Sequence, residues 1–180
     1  MLDSERRIIA RAKKDIREFD FLYRKYFPKI NSFVYHRVIE DDQIKNEIIS
    51  NVFFKAMNKL HLFRFLDSKK SSFSSWLYRI AVNEINQFYR NRKRNAKINQ
   101  EYLINQVPVA KSYPDFEIVR KKMKILTTEE QNLVTLRFFE KMKYREIAEI
   151  LKKNENAVKV RMHRIINKLR DALQEEFKNE

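Results

Sequence analysis

Glycine and cysteine are both absent from this 180-residue chain, and proline occurs only three times. Without cysteine, neither a disulfide scaffold nor a thiolate metal site can be built. Ordinary usage would supply roughly a dozen glycines at this length. Their absence removes the phosphate-cradling loop, the dinucleotide fingerprint and the nucleophile elbow in their usual forms, since each needs positive φ or close backbone approach. A nucleotide-dependent enzyme is therefore not expected. The Asn-, Lys- and Ile-rich composition is read as codon bias, with Asn taking over left-handed turn positions. Histidine is sparse too: His36, His61 and His163 lie far apart without ligand-like pairing, so neither a metal centre nor another cofactor is expected. No run of some eighteen apolar residues is present, and Met1-Leu2-Asp3-Ser4-Glu5 lacks the basic-then-apolar order of a signal peptide. The chain is expected to stay in the cytoplasm.

What is abundant is positive charge. Lys and Arg number 39 against 24 Asp and Glu, a formal net charge of +15, so the first expectation is a polyanionic partner, nucleic acid or a membrane surface. The carboxylate groups Asp41-Asp42, Glu129-Glu130 and Glu175-Glu176 fall at helix starts or on a charged terminal face, where they favour helix dipoles and solubility. No nucleophile, base and orienting group assemble, so neither catalysis nor a small-molecule substrate is expected.

Apolar residues recur at helical spacing almost throughout, and no stretch sustains the alternation of a strand, which predicts an all-α protein. A first helix is expected from Ser4 to about Ala12, with a turn at Lys14-Asp15. The second places Ile16, Phe19, Tyr23, Phe27, Ile30, Phe33 and Val34 on one face and kinks at Pro28. Asp41-Asp42 cap a third helix with the stripe Ile44, Ile48, Val52, Phe53 and Met57. A looser segment from His61 to Ser72 leads into a helix from Phe73 to about Arg94. The polar stretch from Asn95 to Pro114, with Pro108, reads as a flexible linker. Periodicity resumes at Asp115, breaking near Thr127-Thr128, where Thr128 and Gln131 fit a capping box, and at Lys141-Met142-Lys143. Two small helical domains, 1–94 and 115–180, joined by the linker 95–114, follow from this pattern.

Within the second domain, Tyr144 to Leu151 forms a short helix with Ile147, Ala148 and Leu151 inward. A turn at Lys152-Lys153-Asn154 leads to a longer helix carrying Val158, Met162, Ile165, Ile166 and Leu169. A small residue at a close helix crossing, a short turn and a basic outer face make the pattern of a helix-turn-helix. The outer face carries Lys159, Arg161, His163, Arg164 and Lys168, with Val160 among them. A solvated cationic side accounts for the charges alone; the spacing of short helix, turn and long helix favours duplex DNA, with base edges read in the major groove.

These residues resemble a family. Leu133 to Glu140, Tyr144 to Leu151, Ala157 to Arg164 and Lys168-Leu169-Arg170 look like region 4 of extracytoplasmic-function (ECF) sigma factors of the sigma-70 superfamily. Leu22 to Tyr26 and, above all, Phe73-Ser74-Ser75-Trp76-Leu77-Tyr78-Arg79-Ile80-Ala81-Val82-Asn83 are similar to region 2 of the same family. The resemblance implies a factor that joins core RNA polymerase, recognises an upstream promoter element as double-stranded DNA and helps open the downstream element, where melted single-stranded promoter DNA is bound. It also implies an anti-sigma partner. In region 2, Phe65, Phe73, Trp76 and Tyr78 lie near Asn83, so aromatic faces could stack on an unpaired base while polar groups read its edge; burial in the core is the alternative for each ring, and the weightier one for Trp76 and Tyr78. Asn83 matches the position that helps hold the extruded base, and Asp67 to Ser72, with Ser71 and Ser72, matches the loop that forms its pocket. The run Arg90-Asn91-Arg92-Lys93-Arg94 with Lys97 continues the same helix and suits phosphate contact, each neutralised phosphate adding nearly one unit of log-log salt slope.

Five positions depart from the family pattern. The segment expected to dock core polymerase, Glu47-Ile48-Ile49-Ser50-Asn51-Val52-Phe53, has Glu47 for an aspartate and Ser50 and Asn51 for the common Gln and Glu; Glu47, Ile48, Asn51 and Phe53 are its candidate contacts. Lys152 stands where the turn normally has glycine, at a cost on the order of 1 kcal/mol in a left-handed conformation. Gln87 replaces a frequent aspartate. A stand-alone helix-turn-helix regulator and a degenerate sigma-like interaction protein are the rival readings.

Overall fold

The computed structural model describes residues 2–65, 72–98 and 123–178. Every regular element among them is helical: α1 Leu2–Lys14, α2 Phe19–Arg37, α3 Asp42–Asn58, α4 Phe73–Ile98, α5 Thr128–Val134, α6 Tyr144–Leu151 and α7 Glu155–Lys178. Short 3-10 turns at Ile16–Glu18 and Leu60–Leu62 and a π-helical turn at Thr135–Phe139 complete the set. Of the expected linker, residues 99–114 lie outside the described residues, whereas α4 continues to Ile98, past the expected end at Arg94. Arg, Lys and Ala are good helix formers, so the helix propagates without an apolar stripe to signal it.

Local signals explain most boundaries. Asp41 caps α3 by accepting the Ile44 N–H at 2.9 Å, and Ser72 caps α4 by accepting the Ser75 N–H at 3.0 Å. The cap of α5 lies one residue earlier than the spacing predicted. Thr127 accepts the Glu130 N–H at 3.3 Å and Glu130 accepts the Thr127 N–H at 2.8 Å, while Gln131 turns back to the carbonyls of Met123 and Leu126. A carboxylate accepts more strongly from a backbone N–H than a neutral amide, which favours this register. Pro28 sits within α2, which nevertheless runs through to Arg37.

The first four helices share one core in which Leu22, Ile30, Phe33, Val52, Phe73, Leu77 and Ile85 are fully buried. Each such side chain contributes about 1.5–3 kcal/mol relative to exposure. Two expected members of this face are instead exposed, Ile16 at 49% and Tyr23 at 40%, because α2 begins only at Phe19 and turns Leu22 and Tyr26 inward. Polar contacts tie α1 to the rest. Glu5 accepts from Lys25 Nζ and from the Tyr26 hydroxyl, both at 2.5 Å, and Lys13 donates to the Phe63 carbonyl. Burial first, and the Glu5 carboxylate second, push the Tyr26 hydroxyl far above its ordinary pKa, so it serves as a permanent donor.

In the second domain the buried apolar residues are Leu126, Leu133, Leu136, Ile147, Ala148, Val158, Met162 and Ile165, continuous with the cluster of the first. Leu151, Ile166 and Leu169 are only half-buried at its edge. Among the described residues it is two lysines, Lys141 and Lys152, each at φ 53°, and not the expected asparagines, that take left-handed backbone. Lys152 ends α6 with φ 53° and ψ 46°, and Lys153 N–H bonds the Ala148 carbonyl at 2.9 Å, a helix C-cap of the kind glycine usually supplies. Lys152→Gly is therefore expected to raise stability by about 1 kcal/mol, or roughly 2–4 °C in thermal denaturation, and Lys152→Val to lower it. An unchanged midpoint for both variants would show that the turn stores no backbone strain.

Candidate nucleic-acid interface

The helix-turn-helix forms as its spacing predicted: α6 spans Tyr144–Leu151, and Asn154 caps α7 by accepting the Asn156 N–H at 2.8 Å. Val158, Met162 and Ile165 face inward, with Ile147, Ala148 and Ile150 beneath them. That anchoring leaves Lys159, Val160, His163 and Arg164 exposed on one side of α7, with Arg161 at its flank. Val160 is 53% exposed, an apolar contact surface among cations. Two of the cations hold carboxylates: Lys159 pairs with Glu155 at 2.7 Å one turn back, and Arg161 with Glu129 of α5 at 3.2 Å. His163 Nδ1 lies 3.4 Å from the Asn167 amide, and Lys168 caps the Ile125 carbonyl at 2.8 Å.

In the first domain the predicted residues separate into supports and surface. Phe73 has no exposed area, and its ring is packed by Tyr26, Phe63 and Trp76 at 5.2–5.4 Å between centroids. It cannot offer a face to a base and acts instead as the floor under Trp76. The cause is amphipathicity, since Phe73 lies on the same face of α4 as the buried Leu77 and Ile85. Trp76 is half-buried against Phe63 and Phe73, and Phe65 is half-buried against Phe63 with the Arg6 guanidinium 5.1 Å above its ring. Tyr78 is 1% exposed and structural. Ser72 is exposed but its hydroxyl is committed to capping α4, and Ser71 lies outside the described residues. Asn83 is exposed on α4, as are Arg90, Lys93 and Arg94 farther along; Arg92 pairs with Glu40.

On α3, Glu47 and Asn51 are exposed, but Ile48 and Phe53 are each only 5% exposed. The stripe that holds α3 in the core takes them, so neither is free for docking. The outer face carries Ser50 and Phe54, the latter 59% exposed, and sequence reasoning missed Phe54 because it directly follows a buried phenylalanine.

Sequence reasoning also missed a polar contact between the two domains. Arg37, 3% exposed, donates to the Asn132 side chain at 2.7 Å and the Thr128 carbonyl at 3.3 Å, with the Tyr89 ring 4.9 Å from its guanidinium. Asn132 in turn donates to Asn86 at 2.8 Å. Glu140 accepts from Ser32 at 2.9 Å and from Tyr78 at 2.8 Å. Arg79 reaches the carbonyls of Glu149 at 2.5 Å and Ile150 at 3.2 Å, and Ser75 reaches the Glu149 carboxylate at 3.2 Å. Burial raises the Tyr78 pKa, helped by Glu140, and lowers the Arg37 and Arg79 values; Tyr78 and Arg37 are buried, whereas Arg79 is only half-buried. A cleft of about 490 Å³ remains between the domains, and Asn83 faces it from α4 while Arg161 faces it from α7.

The chain matches two family models, Sigma-70 region 2 over residues 22–95 and Sigma-70, region 4 over residues 116–169. The RNA polymerase sigma factor YlaC of Bacillus subtilis (strain 168) is 28% identical over 151 residues, 79% of this chain and 84% of that protein. The solved structure of CnrH in complex with the cytosolic domain of CnrY is similar with a TM-score of 0.69 at 22% identity, covering 94% of this chain and 96% of that one. The sigma factor RpoE of Bartonella quintana, in complex with the anti-sigma factor NepR, gives 0.70 at 20% identity over 88% of this chain and 98% of that one. At such identities the two structures speak to fold.

The exposed Arg161–Glu129 pair generates a prediction. Glu129→Gln removes a carboxylate that competes with phosphate for the guanidinium, and should strengthen duplex binding by about 0.2–1 kcal/mol, the range of exposed ion pairs. Fluorescence anisotropy at rising salt checks it, since the gain should fade as the charges are screened. Equal affinity of both proteins at low salt would remove Glu129 as a competitor.

Proposed function

The chain belongs to the ECF branch of the sigma-70 family, and from that premise we propose how its residues divide a promoter between the two domains. As an RNA polymerase sigma factor it directs core polymerase to specific promoters and aids DNA opening in transcription initiation. Core polymerase and promoter DNA are its partners. It acts as an initiation factor rather than an enzyme, with the chemistry left to the polymerase in the cytoplasm; no helix among the described residues is long and apolar enough to cross a membrane.

Residues 115–180 take the upstream element as duplex, with the N-terminal half of α7 in the major groove. Arg161 and Arg164 suit guanine edges or phosphates, Lys159 and His163 suit the flanking backbone, and Val160 suits apolar contact. Residues 1–94 take the downstream element, with Asn83 at the extruded base, Trp76 and Phe65 at its wall, Ser71 and Ser72 at its loop, and Arg90, Arg92, Lys93 and Arg94 along the phosphates. Glu47 and Asn51 on the outer face of α3, with Ser50 and Phe54, form the core-docking surface. An anti-sigma partner fits the same reading, because both solved relatives are held by another protein. The observation that carries the proposal is the pairing of a helix-turn-helix whose outer face is cationic with an α4 that presents Asn83 and a basic run on one chain.

Purification with bacterial core RNA polymerase, followed by run-off transcription from a randomised promoter library, tests it. Stable association and selection of a two-part promoter are expected; a duplex shift without core binding or initiation would make the chain a stand-alone regulator. Arg161→Ala or Arg164→Ala should weaken upstream-element binding by about 1–3 kcal/mol where the side chain makes a specific contact. Asn83→Ala should leave duplex affinity unchanged and reduce open-complex formation measured by permanganate reactivity. Loss in both assays would make Asn83 a structural residue.

A further inference from the structure

The promoter reading above leaves α1 without a role, yet two of its side chains grip the segment that carries one wall of the base site. Arg6 and Lys13 are seven residues apart, two helical turns, and so project from the same edge of α1. Lys13 donates to the Phe63 carbonyl, and the Arg6 guanidinium lies 5.1 Å from the centre of the Phe65 ring. Phe63 is the hub between them. It is 2% exposed, and its ring meets those of Phe65 at 4.9 Å, Trp76 at 5.3 Å and Phe73 at 5.4 Å. Holding Phe63 therefore sets the level of both half-buried rings, Phe65 and Trp76. The edge that holds it is rigid, because Ile9 and Ala12 bury the inner side of α1 and Glu5 binds Lys25 and Tyr26 of α2.

Arg6 differs from the cations around it. Arg11 pairs with Glu18 at 3.3 Å, Arg17 with Asp15 at 2.7 Å and Lys25 with Glu5 at 2.5 Å, whereas Arg6, an exposed residue, pairs with no carboxylate among the described residues. A guanidinium laid over a ring uses its flat face there, and its N–H groups, which point outward in its own plane, stay unspent. The contact also closes one face of Phe65, so a base can stack only on the other.

We infer that Arg6 is a further DNA-binding residue of the first domain, backing the Phe65 ring opposite an unpaired base and giving its N–H groups to a phosphate of the melted strand, while Lys13 is a positioning residue that fixes Phe63 beneath the two wall rings. The inference rests on the reading of Phe65 and Trp76 as walls given above. Attraction between guanidinium and ring holds Phe65 in place before DNA arrives, so less side-chain freedom is lost when the base stacks. A stacked nucleotide brings its own phosphate to the site, where an unpaired cation already stands.

The test uses the holoenzyme assembled with core polymerase. The probes are a fluorescein-labelled single strand carrying the downstream element selected with core polymerase, and the same strand made abasic at the extruded position. Arg6→Ala should weaken binding of the intact strand by about three- to tenfold and lower the log-log salt slope by about 0.7. Arg6→Lys, which keeps the charge but lacks the planar fork, should restore the slope and only part of the affinity. On the abasic strand the Arg6→Ala penalty should shrink, since the ring that Arg6 backs has lost its base. Lys13→Met should weaken strand binding with the slope unchanged. Upstream duplex affinity and the thermal midpoint of the free Arg6→Ala chain should stay as they are.

Unchanged strand affinity and slope in Arg6→Ala overturn the role of Arg6, and a loss of affinity that comes with a lowered thermal midpoint makes it a structural residue instead. A changed slope in Lys13→Met overturns its positioning role. An unaltered holoenzyme that binds the abasic strand as tightly as the intact one overturns the reading of the pocket itself, so the two failures are told apart.

Discussion

The apolar stripe of α4 must be buried against α2 and α3, and that constraint sets the direction of every other side chain on the helix. Phe73, Leu77, Ala81 and Ile85 have essentially no exposed surface, so residues half a turn away are held outward by a packed core rather than by loops. Rigid elements place functional groups more accurately than loops do. Asn83 owes its position to this core, and so do Arg79 and Asn86. The Lys55–Glu84 bridge, with both carboxylate oxygens at 2.7 Å from the ammonium, pins α3 to the same helix. On the reading of Trp76 proposed above, a residue such as Phe73 matters to DNA binding without touching DNA, because Trp76 packs on its ring.

Much of this was legible in the sequence because it is local. A cap such as Asp41 needs only a residue three positions on, and the bounds of α6 follow from the spacing of Ile147, Ala148 and Leu151 and from the turn after it. Lys152 was readable as a left-handed residue because the motif leaves no other conformation there. Where reading failed, two local solutions competed or the decisive partner was distant. Thr127 and Thr128 are both plausible caps, and only the stronger acceptor, Glu130, decides between them. Ile48 and Phe53 were placed in a docking surface by motif position, although their helical phase buries them.

The contact between the domains was not legible at all. Ser32 and Glu140 are 108 positions apart and Asn86 and Asn132 are 46 apart, so no period or motif joins them. The nearest thing to a signal was Asn132 itself, a polar side chain beside Leu133 and Val134 on a short helix. A buried amide asks for partners, but the sequence does not say where they come from.

The polar character of that contact also bears on temperature. Exposing apolar surface raises heat capacity, while exposing polar surface lowers it. This interface carries both, since its hydrogen bonds surround apolar contact and the buried residues of the two halves form one continuous cluster, so the two contributions to heat capacity oppose each other when it opens. Domains joined by a greasy face would instead part most readily in the cold, where the hydrophobic drive fades. Because the buried residues of both halves form that one cluster, heating should melt them together as a single cooperative unit.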